Sequence, residues 1–221
     1  MFYGRKVGAP EQGCLQIGVR ALTLRQKTFA GLYRRAKTPE LLPWHREAPA
    51  LLRAAAERRR HGRVLDVGCG AGVHAVYLAQ LGFSVVGVDF VPAALALAWQ
   101  RALAAGVELE LVESDVLLYE PVSGFDLVVD SGCLHHVPAR KVNAYRARVD
   151  RWLLPGGDYL LVHFCKRHAL DWRPVGPRRT EKSDIVRLFA PLRLEAYEET
   201  FFDLAFPIGR SLAGIYWFRR V

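Results

Sequence analysis

The chain has 221 residues, of which 51% are hydrophobic and 24% are charged, a balance that is ordinary for a globular domain with a sizeable core. No stretch approaches the roughly 18 uninterrupted apolar residues of a membrane span. The N-terminal part holds no apolar run of the kind found in secretory signals. We therefore expect a cytoplasmic protein without a membrane span.

The four cysteines, Cys14, Cys69, Cys133 and Cys165, lie far apart in the sequence. They form no C-x-x-C pair, so neither a zinc site nor a disulfide framework is indicated. Free thiols in a reducing compartment and no metal site are expected.

The net charge of +9 is concentrated near the N-terminus, because residues 1–63 hold 14 of the 31 basic residues and only 4 of the 22 acids. A basic segment of this kind binds nucleic acid, anionic lipid or an acidic substrate in some proteins, and more often it is a solvated helix face. We divide the chain into a basic N-terminal extension at residues 1–60 and a main domain at residues 61–221.

Residues 1–22 show no clear hydrophobic period, and no element is predicted there. The apolar spacing over 24–37 predicts a basic amphipathic helix, and a second helix is predicted from Pro49 to Arg60. Beyond these helices, short apolar runs alternate with amphipathic segments of helical length. The predicted strands are 63–67, 84–89, 108–112, 125–130, 158–164, 192–200 and 214–219, and the predicted helices are 71–81, 92–105, 139–153 and 180–189.

Strands separated by helices of about 10–15 residues predict an α/β domain, in which a mostly parallel, doubly wound sheet carries helices on both faces. The last two strands have only a loop between them, so we expect a hairpin in which one strand runs antiparallel to the rest. In open sheets of this type the ligand binds beyond the carboxyl ends of the strands.

A glycine-rich turn joins the first of these strands to the following helix, in the segment Val64-Leu65-Asp66-Val67-Gly68-Cys69-Gly70-Ala71-Gly72. Its glycines permit positive φ and a close approach of the backbone to a ligand. Asp89 ends the next strand, where a carboxylate can accept hydrogen bonds from ribose hydroxyls. A dinucleotide fingerprint would need Gly or Ala where this chain has Val73, so we expect an adenosine-containing cofactor without a pyrophosphate.

The segments VLDVGCGAG and VVGVD resemble the first two signature blocks of the class I S-adenosylmethionine-dependent methyltransferases. The resemblance covers residues 40–220 and implies a Rossmann-like, seven-stranded sheet with an antiparallel last strand. It implies that S-adenosylmethionine is the cofactor, that Asp89 binds its ribose and that Phe90 lies against its adenine. Asp115 is expected to meet the adenine amino group. The other predicted cofactor contacts are Asp66, Gly68, Cys69, Gly70 and Gly72 around the methionine part, together with Val116 and Asp130.

The block Asp130-Ser131-Gly132-Cys133-Leu134-His135-His136 follows the fourth strand, where the methyl acceptor is expected. It lacks the Asn/Asp-Pro-Pro-aromatic tetrad and the Pro-Cys pair of nucleic-acid methyltransferases, which argues against a nucleic-acid substrate. Together with Leu42-Pro43-Trp44 and Gly176-Pro177-Arg178-Arg179-Thr180, the block resembles the small-molecule branch that includes thiopurine, thiol, halide and tellurite-resistance methyltransferases. The chain departs from that branch at Trp44-His45-Arg46, where an aromatic-acidic pair is more usual. We predict a small-molecule acceptor with a sulfur, nitrogen or oxygen nucleophile.

His135 and His136 are the candidate general bases, since histidine titrates near neutral pH, and packing or helix capping is the alternative role. Arg178 and Arg179 are candidates to grip an acceptor carboxylate or phosphate, with a solvent-facing loop as the alternative. Cys133 is expected to be a buried thiol, because no base pattern accompanies it.

The extension at residues 1–60 is interpreted as a set of lid helices over the methyltransferase domain at residues 61–221. Tyr33 and Trp44 are the candidate lid residues, which would close the site and exclude water. Ordinary packing is the alternative role for both aromatic side chains.

Three other functions are compatible with the sequence. A methyltransferase acting on RNA or protein would use the basic extension as an anchor. A cofactor-binding scaffold without turnover would keep Asp66, the glycine turn and Asp89. A nicotinamide-dependent oxidoreductase is disfavoured by Val73.

Overall fold

A computed structural model describes residues 5–6, 24–35, 47–168, 171, 177–204 and 209–221. The strands are β1 (Arg5–Lys6), β2 (Arg63–Val67), β3 (Ser84–Asp89), β4 (Glu110–Glu113), β5 (Phe125–Ser131), β6 (Leu153–Phe164), β7 (Arg193–Leu204) and β8 (Gly209–Arg219). The helices are α1 (Leu24–Arg35), α2 (Ala50–Arg59), α3 (Val73–Gln80), α4 (Pro92–Ala105), α5 (Val142–Trp152) and α6 (Lys182–Leu188). Two 3₁₀ turns, Leu134–His136 and Ala139–Lys141, precede α5.

The eight strands form one sheet in the order β1-β4-β3-β2-β5-β6-β8-β7. Strands β2, β3, β4, β5 and β6 run parallel to one another. Strand β8 is antiparallel to both β6 and β7. The predicted Rossmann-like sheet of seven mostly parallel strands with an antiparallel last strand is thereby confirmed.

The short strand β1 is an addition to that prediction. Arg5 pairs with Glu113 and Lys6 with Val112, in antiparallel orientation at the edge of the sheet. The expectation of no element in residues 1–22 was wrong at these two positions. Their pairing partner lies about a hundred residues away in the sequence, and two residues are too few to show a period of their own.

Strand β6 begins earlier than predicted. It starts at Leu153, where α5 ends, and includes the Pro-Gly-Gly segment before Asp158. The Gly156 amide donates to the Arg220 carbonyl and the Arg220 amide donates to the Gly157 carbonyl, so the end of the chain continues the strand pairing there. A contact between positions so far apart leaves no local signal in the sequence.

Helices cover both faces of the sheet. Helices α2, α3 and α4 lie on one face, and α5 and α6 lie on the other. Because the central strands are buried on both sides, they are almost continuously apolar. None of the described helices is long and apolar enough to cross a membrane.

Polar side chains buried in the strands therefore stand out. In the middle of β6, Asp158 accepts hydrogen bonds from Trp217, Arg219 and Arg59, so its charge is neutralised within the fold. The other buried acids and the buried histidine of the strands, Asp66, Asp89, Asp130 and His163, lie at or near the carboxyl ends of β2, β3, β5 and β6. The sheet thus gathers three acids and a histidine at one edge.

The turn between β2 and α3 also requires glycine for packing. Gly72 has φ of +75°, and a Cβ atom added to it would lie 2.8 Å from the Cβ of Ala98 on α4. The absence of a side chain therefore lets α3 approach α4 closely.

We expect Gly72→Ala to destabilise the protein more than Gly106→Ala. Both glycines have positive φ, but a Cβ at Gly106 would meet nothing within 4 Å. The left-handed backbone costs alanine about 1–2 kcal/mol at either site. The clash with Ala98 adds about 1–3 kcal/mol at Gly72. Urea unfolding of both variants measures the difference, and equal losses of unfolding free energy would contradict the close packing.

Candidate active site

Backbone hydrogen bonds join the glycine turn to the neighbouring strand β3. The amides of Gly68 and Cys69 donate to the carbonyl of Val88 on β3, over 2.8 and 3.1 Å. Gly68 and Gly70 have φ of +67° and +54°, a region that other residues rarely adopt. Gly68 is exposed at the carboxyl edge of the sheet. The turn therefore presents bare backbone where a ligand of this fold would bind.

Asp89 orders the glycine turn as well as ending β3. One carboxylate oxygen accepts from the Gly70 amide at 3.0 Å, and the other accepts from the Val91 amide at 2.9 Å. Burial raises the pKa of Asp89 to about 6, and these backbone hydrogen bonds oppose the shift. Each oxygen has a second lone pair, so the carboxylate keeps the acceptor capacity that the predicted ribose contact needs.

Asp66 carries a buried carboxylate oxygen that the fold does not satisfy. The residue is 2% exposed, and its Oδ2 atom has no hydrogen-bond partner within the part of the chain that the structure describes. Burial, with a further contribution from the nearby Asp130 carboxylate, raises the pKa of Asp66 to about 7. A buried carboxylate oxygen without a hydrogen-bond partner is costly, and a cationic ligand group would relieve that cost.

The residues predicted around the adenine occupy the next two strand ends. Phe90 is half-buried and packs against the cluster formed by α1 and the start of α4. Asp115 accepts from the Leu117 amide at 2.9 Å and so shapes the turn after β4. The side chain of Val116 is buried in the main core, which leaves only its backbone for a ligand contact.

The Asp130 carboxylate accepts hydrogen bonds from other groups of the protein. It accepts from the amides of Gly132, Cys133 and Leu134 at 2.6 to 3.0 Å and from the Tyr145 hydroxyl at 2.5 Å. The side chain has no exposed surface. The sequence predicts a cofactor contact for Asp130, whereas the structure shows it organising the loop that follows β5.

That loop, residues 131–137, carries both candidate bases and is called the histidine loop below. The His135 ring is buried and lies 4.9 Å from the Phe164 ring. The His136 ring is half-buried, stands edge-on to His135 at 4.3 Å and meets the ring of Phe29 on α1 at 4.9 Å. The structure therefore brings the two histidines together among aromatic side chains.

A third histidine, His163, was missed by the sequence interpretation. It is fully buried near the end of β6, its ring centroid lies 5.8 Å from that of His135, and its Nε2 lies 3.0 Å from the Thr180 hydroxyl. Burial lowers the pKa of His163 to about 3, so the ring is neutral. A single polar residue in the apolar run of the fifth predicted strand is the signal that marks it.

Helix α1 covers both loops, as a lid would. A Cβ atom added to Gly70 would lie 2.5 Å from the Tyr33 hydroxyl, so Tyr33 closes over the glycine turn. Phe29, one helical turn earlier, reaches His136. Trp44, the other predicted lid residue, lies outside the described residues.

The two arginines predicted to grip the acceptor have different partners. Arg178 donates from its guanidinium to the carbonyls of Leu134 and Val137, at 2.9 and 3.0 Å. Arg179 donates to the Ser211 hydroxyl at 3.3 Å. Arg178 therefore binds the histidine loop itself.

Removal of the Tyr145 hydroxyl tests the buried support of this loop. Tyr145→Phe leaves Asp130 with one donor fewer in a fully buried site, and we expect it to lower the free energy of unfolding by about 1–3 kcal/mol. Tyr197→Phe is the matched control, because the Tyr197 hydroxyl donates to the exposed Glu199. Denaturant unfolding compares the two variants, and an equal or smaller loss in Tyr145→Phe would argue against the buried network.

Comparison with known proteins points to one family. Residues 64–157 match a family described as a methyltransferase domain. The chain is 33% identical over 151 residues to the 2-heptyl-1-hydroxyquinolin-4(1H)-one methyltransferase of Mycobacteroides abscessus, covering 64% of this chain and 65% of that relative. It is 34% identical over 139 residues to the ubiquinone biosynthesis O-methyltransferase of Cronobacter sakazakii, covering 60% and 56%. The chain thus spans less than two thirds of the length of these relatives.

A solved structure extends the likeness in fold to nearly the whole chain. The crystal structure of the 1,6-didemethyltoxoflavin-N1-methyltransferase of Burkholderia thailandensis, with bound 1,6-didemethyltoxoflavin and S-adenosylhomocysteine, aligns with a TM-score of 0.65 at 19% identity. The alignment covers 98% of this chain and 99% of that one. The sheet order, the glycine turn with its buried acids and the match of residues 64–157 to the methyltransferase-domain family together support a class I S-adenosylmethionine-dependent methyltransferase.

Proposed function

We propose that the protein transfers the methyl group of S-adenosylmethionine to an oxygen or nitrogen atom of a small aromatic acceptor. The observation that carries this proposal is the position of His136, which stands half-buried among aromatic rings on the loop beside the glycine turn. A sulfur acceptor is the variant of the proposal that needs no base.

The residues at the glycine turn fit the cofactor. The exposed backbone of Gly68 and the neighbouring glycines would lie along its methionine part, and the unsatisfied Asp66 oxygen would face a positive charge there. Asp89 would accept from the ribose hydroxyls while it holds Gly70. When bound, S-adenosylmethionine supplies an electrophilic methyl group on a sulfonium.

An aromatic acceptor fits the surroundings of the histidine loop. Phe29 and Phe164 flank the histidine pair, and the Phe202 ring lies 6.0 Å from that of Phe164. Aromatic walls favour flat, largely apolar ligands, with polar groups fixing orientation. The similar proteins include a 2-heptyl-1-hydroxyquinolin-4(1H)-one methyltransferase and a 1,6-didemethyltoxoflavin-N1-methyltransferase, which supports a heterocyclic acceptor.

The protein's own contribution to the reaction is positioning and proton removal. Methyl transfer is an in-line displacement, and holding the acceptor against the methyl group can supply up to about 7–11 kcal/mol of the acceleration. A hydroxyl or protonated nitrogen must also lose a proton, and general-base catalysis contributes about 10²- to 10⁴-fold. His136, the more exposed of the pair, accepts this proton, and His135 packs behind it on Phe164. Tyr33 and Phe29 close the site from above.

The raised pKa of Asp66 predicts that cofactor affinity depends on pH. The acid is protonated below its pKa of about 7, and a cationic ligand favours the ionised form. Affinity is therefore expected to rise with pH up to neutrality, by up to about tenfold per pH unit, and then to level off. Calorimetry in two buffers of different ionisation enthalpy measures the released proton. Asp66→Asn should flatten the dependence, and an unchanged slope in that variant would refute the assignment.

A panel of phenols, N-hydroxy heterocycles, ring amines and thiols, scored by release of S-adenosylhomocysteine, tests the acceptor class. Turnover confined to thiols would move the acceptor to sulfur, and steep, salt-sensitive binding of RNA would favour a nucleic-acid substrate. If the protein bound the cofactor but turned over no acceptor, RNA included, the remaining interpretation would be a cofactor-binding scaffold protein.

His136→Gln tests the general base directly. For a hydroxyl or nitrogen acceptor we expect kcat to fall about 10²- to 10⁴-fold with cofactor affinity unchanged. His61→Gln is the control, since His61 is exposed between α2 and β2, at the amino end of the sheet. Full turnover in both His135→Gln and His136→Gln would eliminate a histidine base.

A further inference from the structure

The histidine loop is held by one charged group on each side. On the inner side, the Asp130 carboxylate accepts from the amides of Gly132, Cys133 and Leu134. On the outer side, the half-buried Arg178 guanidinium donates to the carbonyls of Leu134 and Val137. The Arg178 backbone amide adds a longer contact of 3.4 Å to the His135 carbonyl. The Leu134 and Val137 carbonyls flank the two histidines in the sequence, and the third carbonyl belongs to His135.

We propose that Arg178 is a positioning residue that fixes the two histidines of this loop against the methyl acceptor. This inference rests on the proposed function of the same site. It replaces the sequence expectation that Arg178 grips an acceptor anion, because the guanidinium forms its hydrogen bonds with main-chain carbonyls of the loop.

The planar guanidinium suits this role. Its N–H groups form a rigid fork, so two carbonyls three residues apart can be held at once in one orientation. A lysine ammonium is a point charge on a flexible stem and fixes no such orientation. The carbonyls at Leu134 and Val137 bracket the 3₁₀ turn that carries His135 and His136. A shift of the turn would therefore move both rings together.

The segment that carries Arg178 is itself tied to the sheet. The Thr180 amide donates to the Phe164 carbonyl, and the Lys166 amide donates to the Thr180 carbonyl. The Thr180 side chain also reaches His163 at 3.0 Å. Arg178 thus transmits the position of the end of β6 to the loop at the end of β5.

Turnover kinetics of Arg178→Ala and Arg178→Lys, measured with the best acceptor of the panel, test the proposal. We expect kcat of the alanine variant to fall by about 100-fold, the order of loss caused by a misplacement of about 1 Å. Acceptor KM and cofactor affinity should stay within about twofold, because a positioning residue acts through the loop and not on either ligand. Added guanidinium should restore part of the kcat of Arg178→Ala. The kcat of Arg178→Lys should remain below that of the wild type. The control is Arg187→Ala, whose guanidinium is exposed on α6 and pairs with Asp184.

A second measurement does not depend on turnover. Hydrogen exchange of the cofactor-free protein should show faster exchange of the amides of residues 132–137 in Arg178→Ala and unchanged exchange in Arg187→Ala. If the alanine variant does not fold, Arg178→Gln takes its place. Unchanged exchange in this segment would overturn the proposal, and so would a large rise in acceptor KM with kcat preserved, which would assign Arg178 to acceptor binding. Absence of turnover in the wild type would refute the proposed function, while the exchange result would still decide the role of Arg178.

Discussion

Three carboxylates, those of Asp66, Asp89 and Asp130, are buried side by side at the carboxyl ends of β2, β3 and β5. An ionised carboxylate removed from water costs several kcal/mol unless hydrogen bonds or a positive charge compensate it. The fold compensates Asp130 with three loop amides and a tyrosine, and Asp89 with the amides of Gly70 and Val91. Both loops of the site take their shape from this requirement. Asp66 keeps one oxygen without a partner among the described residues, and a cationic ligand group would compensate it.

The glycine turn and the histidine loop, which form the two halves of the site, are in direct contact. Cys133, in the histidine loop, packs against Gly68, where an added Cβ would lie 3.1 Å from the Cβ of Cys133. Helix α1 then spans both parts, with Tyr33 over the glycine turn and Phe29 on His136. The basic residues of α1 that the structure describes with side chains, Lys27, Arg34 and Arg35, face solvent. Three of the basic side chains that first suggested a polyanion partner therefore lie on the solvent-facing side of α1.

Local sequence patterns were sufficient to predict the elements and site residues whose signals lie within a few residues. The glycine turn, the acid that ends β3 and the alternation of strands and helices carry such signals, and so does the paired His135-His136. The partners of those residues could not be read in this way. Tyr145 meets Asp130 across 15 positions, and Arg178 meets Leu134 across 44, so only the folded chain shows which polar groups satisfy each other. The contacts of Arg178 with the loop carbonyls could not be predicted, because an arginine beside a site has the same sequence signature whether it binds substrate or backbone.

The central claim is that a charged nucleoside lies against the glycine turn with its ribose on Asp89 and its cationic end near Asp66. A crystal structure of the complex with S-adenosylhomocysteine tests this most directly. We expect both ribose hydroxyls within hydrogen-bond distance of the Asp89 carboxylate, with the ligand's amino group on the side of Asp66. A ligand bound elsewhere on the chain, or a ribose that avoids Asp89 at full occupancy, would contradict it.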